Sequence, residues 1–227
     1  MKMSKKNFMT SLFVLIVATA SYAEVRFGAS FVGGSGIGSI RMDSLADAYG
    51  ESDDSLNTVG GFSLNSHISF GDGKVRFMIQ PEAVMLFNNG VGNGFHFTYD
   101  DYTLGIEGRS DGSISVTTID LPLLLGSDFV EGNWILTAYA GPYLSIPVAG
   151  TCYIANENIN LKYDMPAWGL AAGFGANTKF GPGSMVFDVR YYFDLSPVKM
   201  INESTGESMN VYARRAIVMS AGYSFSL

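Results

Sequence analysis

Residues 187–195 read FDVRYYFDL. Laid out as a strand, whose successive side chains point to opposite faces, the stretch divides cleanly. Phe187, Val189, Tyr191, Phe193 and Leu195 fall on one face, and Asp188, Arg190, Tyr192 and Asp194 on the other. A soluble sheet with one wet face alternates in the same way. The fold therefore turns on which face meets water and what the apolar face meets.

Seven more runs alternate like this one. Phe62, Leu64, Ile68 and Phe70 oppose Ser63, Asn65, His67 and Ser69, and Trp134, Leu136, Ala138 and Ala140 oppose Thr137, Tyr139 and Gly141. A helical period is nowhere sustained, and the 27 glycines, 16 phenylalanines and 12 tyrosines suit short strands and tight turns. The connections alternate in length. GDG, GSDFVEGN and GPG make short joins, whereas residues 41–58, 88–112, 149–165 and 196–211 make long ones. Short turns at one end and long loops at the other are the habit of a membrane barrel.

The polar faces carry a nearly balanced charge set: Arg26, Arg76, Arg190 and Arg214 against Glu82, Asp120 and Asp188. Balanced charge suits an enclosed interior in which each ion needs a partner. Eight apolar faces together would far exceed the roughly 300–600 Å² patch usual on a soluble monomer. The expected fold is an all-β, transmembrane, antiparallel up-and-down barrel of about eight strands. An extra hairpin within residues 95–107 would make ten. The charged face is expected to look inward and the apolar face to lipid. Trp134, Trp168, Tyr191, Phe193, Tyr223 and Phe225 lie near run ends, as an aromatic girdle at the membrane boundaries requires.

The N-terminus supplies a route. Lys2, Lys5 and Lys6 precede the apolar run FMTSLFVLIVATA, and Ser21-Tyr22-Ala23 offers a small-x-small cleavage site. This reads as a signal peptide over 1–23, followed by a barrel domain over 24–227 and export to the outer membrane. The signal holds three of the 14 basic residues and none of the 21 acidic ones, so the mature chain is more acidic than the net −7 of the whole. That balance argues against nucleic acid as a partner. Outer-membrane lipid, including lipopolysaccharide-type lipid, is the expected surrounding. Cys152 is the single cysteine, which excludes an internal disulfide framework.

Four stretches, TIDLPLLLGSDF, AYAGPYLSIPV, GLAAGFGANTKF and FDVRYYFDLSPV, resemble in their order the PorT-like outer-membrane β-barrel family. The matching residues are Asp120-Leu121-Pro122-Leu123-Leu124, Gly141-Pro142, Gly173 with Gly175, and Arg190-Tyr191-Tyr192. The C-terminal GYSFSL resembles the signal read by the barrel assembly machinery, with Leu227 where Phe is usual. The resemblance implies a small closed barrel and no single activity.

Other candidate sites are sparse. His67 falls on a polar face, and His96 lies near Asp100 and Asp101, a loose arrangement for activating water. The glycine run at 33–39 lacks the helix that would present amides to phosphate. The acidic segment 43–55 lacks the ligand spacing of a calcium loop. No cofactor or metal set emerges. The expected role is a side-chain-filled barrel that is structural or binds a protein or ligand through its outer loops. A small porin is the alternative and an outer-membrane hydrolase the more distant one.

Overall fold

The computed structural model describes residues 23–39, 55–87, 91–101, 106–154, 157–196, 198–202 and 208–226. They form eleven strands and no helix: β1 (Ala23–Ser39), β2 (Ser55–Phe70), β3 (Val75–Phe87), β4 (Val91–Asp101), β5 (Ile106–Glu131), β6 (Trp134–Ile154), β7 (Glu157–Met165), β8 (Ala167–Phe180), β9 (Gly183–Asp194), β10 (Val198–Asn202) and β11 (Ser208–Ser226). Eight of them close a ring in the order β1-β2-β3-β5-β6-β8-β9-β11, every pairing antiparallel. The first strand meets the last in register from Arg26↔Ser226 to Ser39↔Ala213. Closure leaves the ring without an edge, so each strand's backbone groups find partners on both sides. The fold is a closed eight-stranded barrel.

The remaining three strands extend one end. β4 folds back on the first half of β5, from Val91↔Ile114 to Asp101↔Ile106. β7 pairs with the far end of β6, and β10 bridges β7 and β11. The stretch 95–107 thus lengthens one end of the barrel instead of adding two staves. Three connections read as long loops are in good part strand, their backbones pairing with one another and with the barrel strands. Residues 41–54 lie outside the described part of the chain.

The opposite end has tight turns at Gly71, Gly132 and Gly181, each with φ in the left-handed region (106°, 60° and 61°) that favours glycine. One join is shorter than the sequence suggested. Residues 126–133 read as a loop, but β5 runs on to Glu131 and the turn is only Gly132-Asn133. Gly126 is a packing glycine: it pairs with Tyr139, whose Cβ would lie 2.9 Å from any Cβ at residue 126. That correction puts Asp128 on the inner wall.

Exposure follows the two-residue period. Phe31 is 80 % exposed and Phe174 73 %, while Val32, Ser30, Asn177 and Ala171 are buried. The apolar face looks outward and the barrel has its core inside. The inner face is less uniformly polar than expected. Val32, Val59, Val84, Leu86, Val116 and Val218 point inward towards the end that bears the long connections. A lumen closed to water can be filled by apolar side chains, which need no partners, as readily as by paired charges.

Candidate functional site

The polar groups concentrate in the half of the lumen nearer the tight turns, and they form one connected network. At its centre is Asp128 on β5, almost fully buried. Its Oδ2 accepts from Arg26 Nη2 at 3.3 Å and from the Ser69 hydroxyl, and it lies 2.8 Å from His67 Nε2; Oδ1 accepts from Thr137 Oγ1 at 2.7 Å. These partners come from β1, β2 and β6, so one carboxylate ties together strands on three sides.

From Asp128 the chain of contacts climbs. His67 Nδ1 lies 2.9 Å from Gln80 Oε1, and Gln80 Nε2 donates to Glu82 Oε2 at 3.2 Å. Arg190 Nη2 then meets Glu82 Oε2 at 2.9 Å and Asp188 Oδ1 at 3.3 Å. Arg190 also donates from Nε to the Tyr139 hydroxyl at 3.2 Å and from Nη1 to the Tyr192 hydroxyl at 2.9 Å, with its guanidinium 5.3 Å and 5.7 Å from their ring centres. Tyr139 donates to Asp188, and Tyr143 to Asp194. A planar, five-donor guanidinium is suited to this crowded position, because several acceptors and two ring faces can be met at once.

Local sequence explains the tyrosines. Gly173 pairs with Tyr139 and Gly169 with Tyr143 on the neighbouring strand. A Cβ at Gly173 would sit 2.8 Å from the Tyr139 hydroxyl, and one at Gly169 would sit 2.6 Å from that of Tyr143. The glycines of β8 are the seats on which the β6 rings lie flat against the wall.

Of the seven charges expected inside, Arg26, Glu82, Asp188 and Arg190 belong to this network. Asp120 is buried and accepts from Ser145 Oγ at 2.5 Å. Arg76 stands apart from the centre: its Nη1 donates to Glu24 at 2.7 Å and its Nε to Gly73 O at 3.3 Å, at the tight-turn end. Residue 76 is only one position from the end of its strand, which is why the side chain turns to the mouth. The Arg214 side chain lies outside the described residues, as do those of Cys152, His96, Asp100 and Asp101.

Asp128, Glu24 and the Tyr143–Asp194 pair are additions that sequence reasoning missed. For Asp128 the signal was present: it is eight residues, an even number, beyond Asp120. The six residues expected in a girdle all lie at strand ends or on the outward face. Trp134, Trp168, Tyr191 and Phe225 are exposed, Phe193 and Tyr223 half-buried, and the Tyr223 hydroxyl donates to Phe180 O at 2.7 Å.

A cavity of about 30 Å³ lies within the network, lined by Arg26, Asn65, His67, Glu82, Asp188 and Arg190 among others. That is room for about two water molecules. The His67–Asp128 pair does not make a nucleophilic site with the adjacent serine. The Ser69 hydroxyl donates to the carboxylate of Asp128, while both His67 nitrogens face Asp128 and Gln80. Among the described residues no three His, Cys, Asp or Glu side chains group as metal ligands.

No family model matches the chain, and no curated protein matches it in sequence. Solved structures do resemble it. A major outer membrane protein from Thermus thermophilus has a TM-score of 0.47 at 12% identity, over 88% of this chain and 99% of the other. Neisserial surface protein A has a TM-score of 0.38 at 14% identity, over 88% and 96%. Ail, the attachment invasion locus protein of Yersinia pestis, solved with the heparin analogue sucrose octasulfate, has a TM-score of 0.37 at 13% identity, over 88% and 99%. Identities this low transfer no function.

Proposed function

We propose that this protein is an outer-membrane barrel that does not conduct, and that its working surface is the strand-rich extension carrying β4, β7 and β10. The observation that carries this is the Arg190–Glu82 ion pair. β9 and β3 lie four strands apart in either direction around the ring of eight, so the pair spans the full width of the lumen. Inward valines and leucines, together with Asp120 held by Ser145, occupy the other half. Side chains alone fill a barrel of this size.

The outward face supports the membrane. Exposed Phe, Leu, Val, Ile and Met side chains surround the barrel, and that surface suits hydrocarbon. The motif order that resembles PorT-like barrels, the export signal over 1–23 and the C-terminal GYSFSL fit the same biogenesis: secretion, handover to the assembly machinery, and insertion among outer-membrane lipids. A rigid scaffold with elaborated connections at one end is the usual arrangement for binding, and the contact would be with a protein or ligand at the cell surface. The reading gives the chain no enzymatic role.

Planar-bilayer recording of the purified, refolded barrel tests the first half of this proposal. The expected result is no steady conductance above the bilayer baseline. Large, steady, ion-selective currents would overturn it in favour of a porin. Replacing residues 91–111, which hold β4 and the arm of β5 it pairs with, by a short Gly-Ser link tests the second half. The barrel should stay folded, while capture of surface partners from native membranes is reduced.

A further inference from the structure

Arg215 is a charged side chain on an otherwise apolar face. On β11, Ala216 and Val218 are buried in the lumen, whereas Arg215, Ile217 and Met219 are exposed. Arg215 therefore projects to the outside of the barrel. Its cross-strand partner is Phe193, and the guanidinium lies over that ring, 5.4 Å from its centre. Phe193 pairs in turn with exposed Leu170, and exposed Trp168 lies one inward-facing residue further along β8. Among the described residues Arg215 has no carboxylate partner. Arginines within the lumen are treated differently: Arg26 and Arg190 both have carboxylates.

An arginine facing lipid is costly away from the interface unless it finds an opposite charge or reaches the headgroups. At an aromatic band it does reach them. The cation–π contact with Phe193 keeps the guanidinium beside the wall, on the exposed side of the barrel. A planar fork held in this way suits the oxygens of a phosphate. We propose that Arg215, with Phe193 beneath it and Leu170 and Ile217 beside it, binds the phosphate of a net-anionic lipid in the leaflet next to the strand-rich end. This rests on the membrane reading given above.

Lipid quenching in vesicles tests it. Ile217→Trp, two residues from Arg215 on the same face, serves as reporter in a chain that also carries Trp134→Phe and Trp168→Phe. Each variant is first shown to be folded by its heat-modifiable migration. The vesicles contain phosphatidylcholine with a fraction of either brominated phosphatidylglycerol or brominated phosphatidylcholine. One basic residue near an anionic surface corresponds to a preference of about fivefold, so the anionic lipid should quench at about one-fifth the mole fraction. Arg215→Gln should abolish that preference, and Arg215→Lys, which keeps the charge but not the planar fork, should retain only part of it. Equal quenching by the two lipids with Arg215 present, or a preference that survives Arg215→Gln, would overturn the site while leaving the barrel intact. Quenching by neither lipid would overturn the membrane reading itself.

Discussion

Arg190 on β9 and Glu82 on β3 meet across the whole width of the barrel, Nη2 to Oε2 at 2.9 Å, with side chains 4 % and 3 % exposed. Opposite walls are thus tied by a single charged contact. Truncating one member breaks the pair in a place with little water, and that costs about 3–5 kcal/mol. Glu82→Ala should lose stability on that scale in urea unfolding from detergent. Glu82→Leu combined with Arg190→Met and Asp188→Asn should lose much less, because Asp188, which also meets Arg190 at 3.3 Å, is then not left over as a buried charge. A triple variant no more stable than Glu82→Ala would show that the pair matters for something other than charge balance.

Phe31 distinguishes a membrane barrel from a soluble one. It lies mid-strand on β1, opposite Phe62 and Ala221, and points outward. On a soluble surface Phe31→Arg would change stability by within about 0.5 kcal/mol. In a bilayer an arginine near the midplane of a barrel costs about 2–4 kcal/mol. The expected outcome is the larger loss, measured as folding into vesicles. A variant that folds as well as the parent chain would place β1 outside the hydrocarbon.

The glycines divide by what a methyl group would meet. Gly173→Ala drives a Cβ to 2.8 Å from the Tyr139 hydroxyl, which already serves Asp188 and Arg190. Overpacking of this kind costs about 1–3 kcal/mol. Gly33, on the outward face, has nothing within 4 Å of the added Cβ, so Gly33→Ala should be neutral or gain up to about 1 kcal/mol by restricting the unfolded chain. Side-by-side urea unfolding checks both signs. Equal effects at the two positions would mean that Tyr139 does not rest on β8.

Much of this architecture was legible because the outward face obeys one rule. A residue such as Phe27, Leu136 or Phe187 has only to be apolar, and strict alternation follows. The inner face obeys two rules at once. Charges are admitted where partners reach them, as at Asp188, and apolar groups wherever the lumen is dry, as at Met78, Val84 and Leu86. Those three broke the expected polar pattern. Asp128 was lost because Gly126-Ser127 reads as a turn when the ring it accommodates, Tyr139, is on another strand. The Arg190–Glu82 contact could not be read at all. It depends on which strands stand opposite one another, and that is set by closure and register, not by any local run of residues.

Glu24 shows that location, not charge, sets the worth of an ion pair here. Its carboxylate accepts from Arg76 Nη1 at 2.7 Å and lies 3.7 Å from Arg26 Nε, yet its side chain is 35 % exposed and that of Arg76 21 %. Water at the mouth solvates both partners and screens them, so pairs of this sort contribute about 0–1 kcal/mol. Glu24→Gln should therefore cost no more than about 1 kcal/mol in the same urea unfolding that reads several-fold more for Glu82→Ala. The small-x-small motif ending at Ala23 also makes Glu24 the expected first residue of the exported chain. N-terminal sequencing of protein taken from outer membranes should begin Glu-Val-Arg-Phe. Cleavage there would place an α-amino group beside the Glu24 carboxylate, a further cation at a mouth that already holds Arg76. Retention of Met1 would overturn the cleavage site, and a loss of 3 kcal/mol or more in Glu24→Gln, a size that belongs to breaking a buried pair, would show that this end of the barrel is closed to water and that the pair belongs with the buried set.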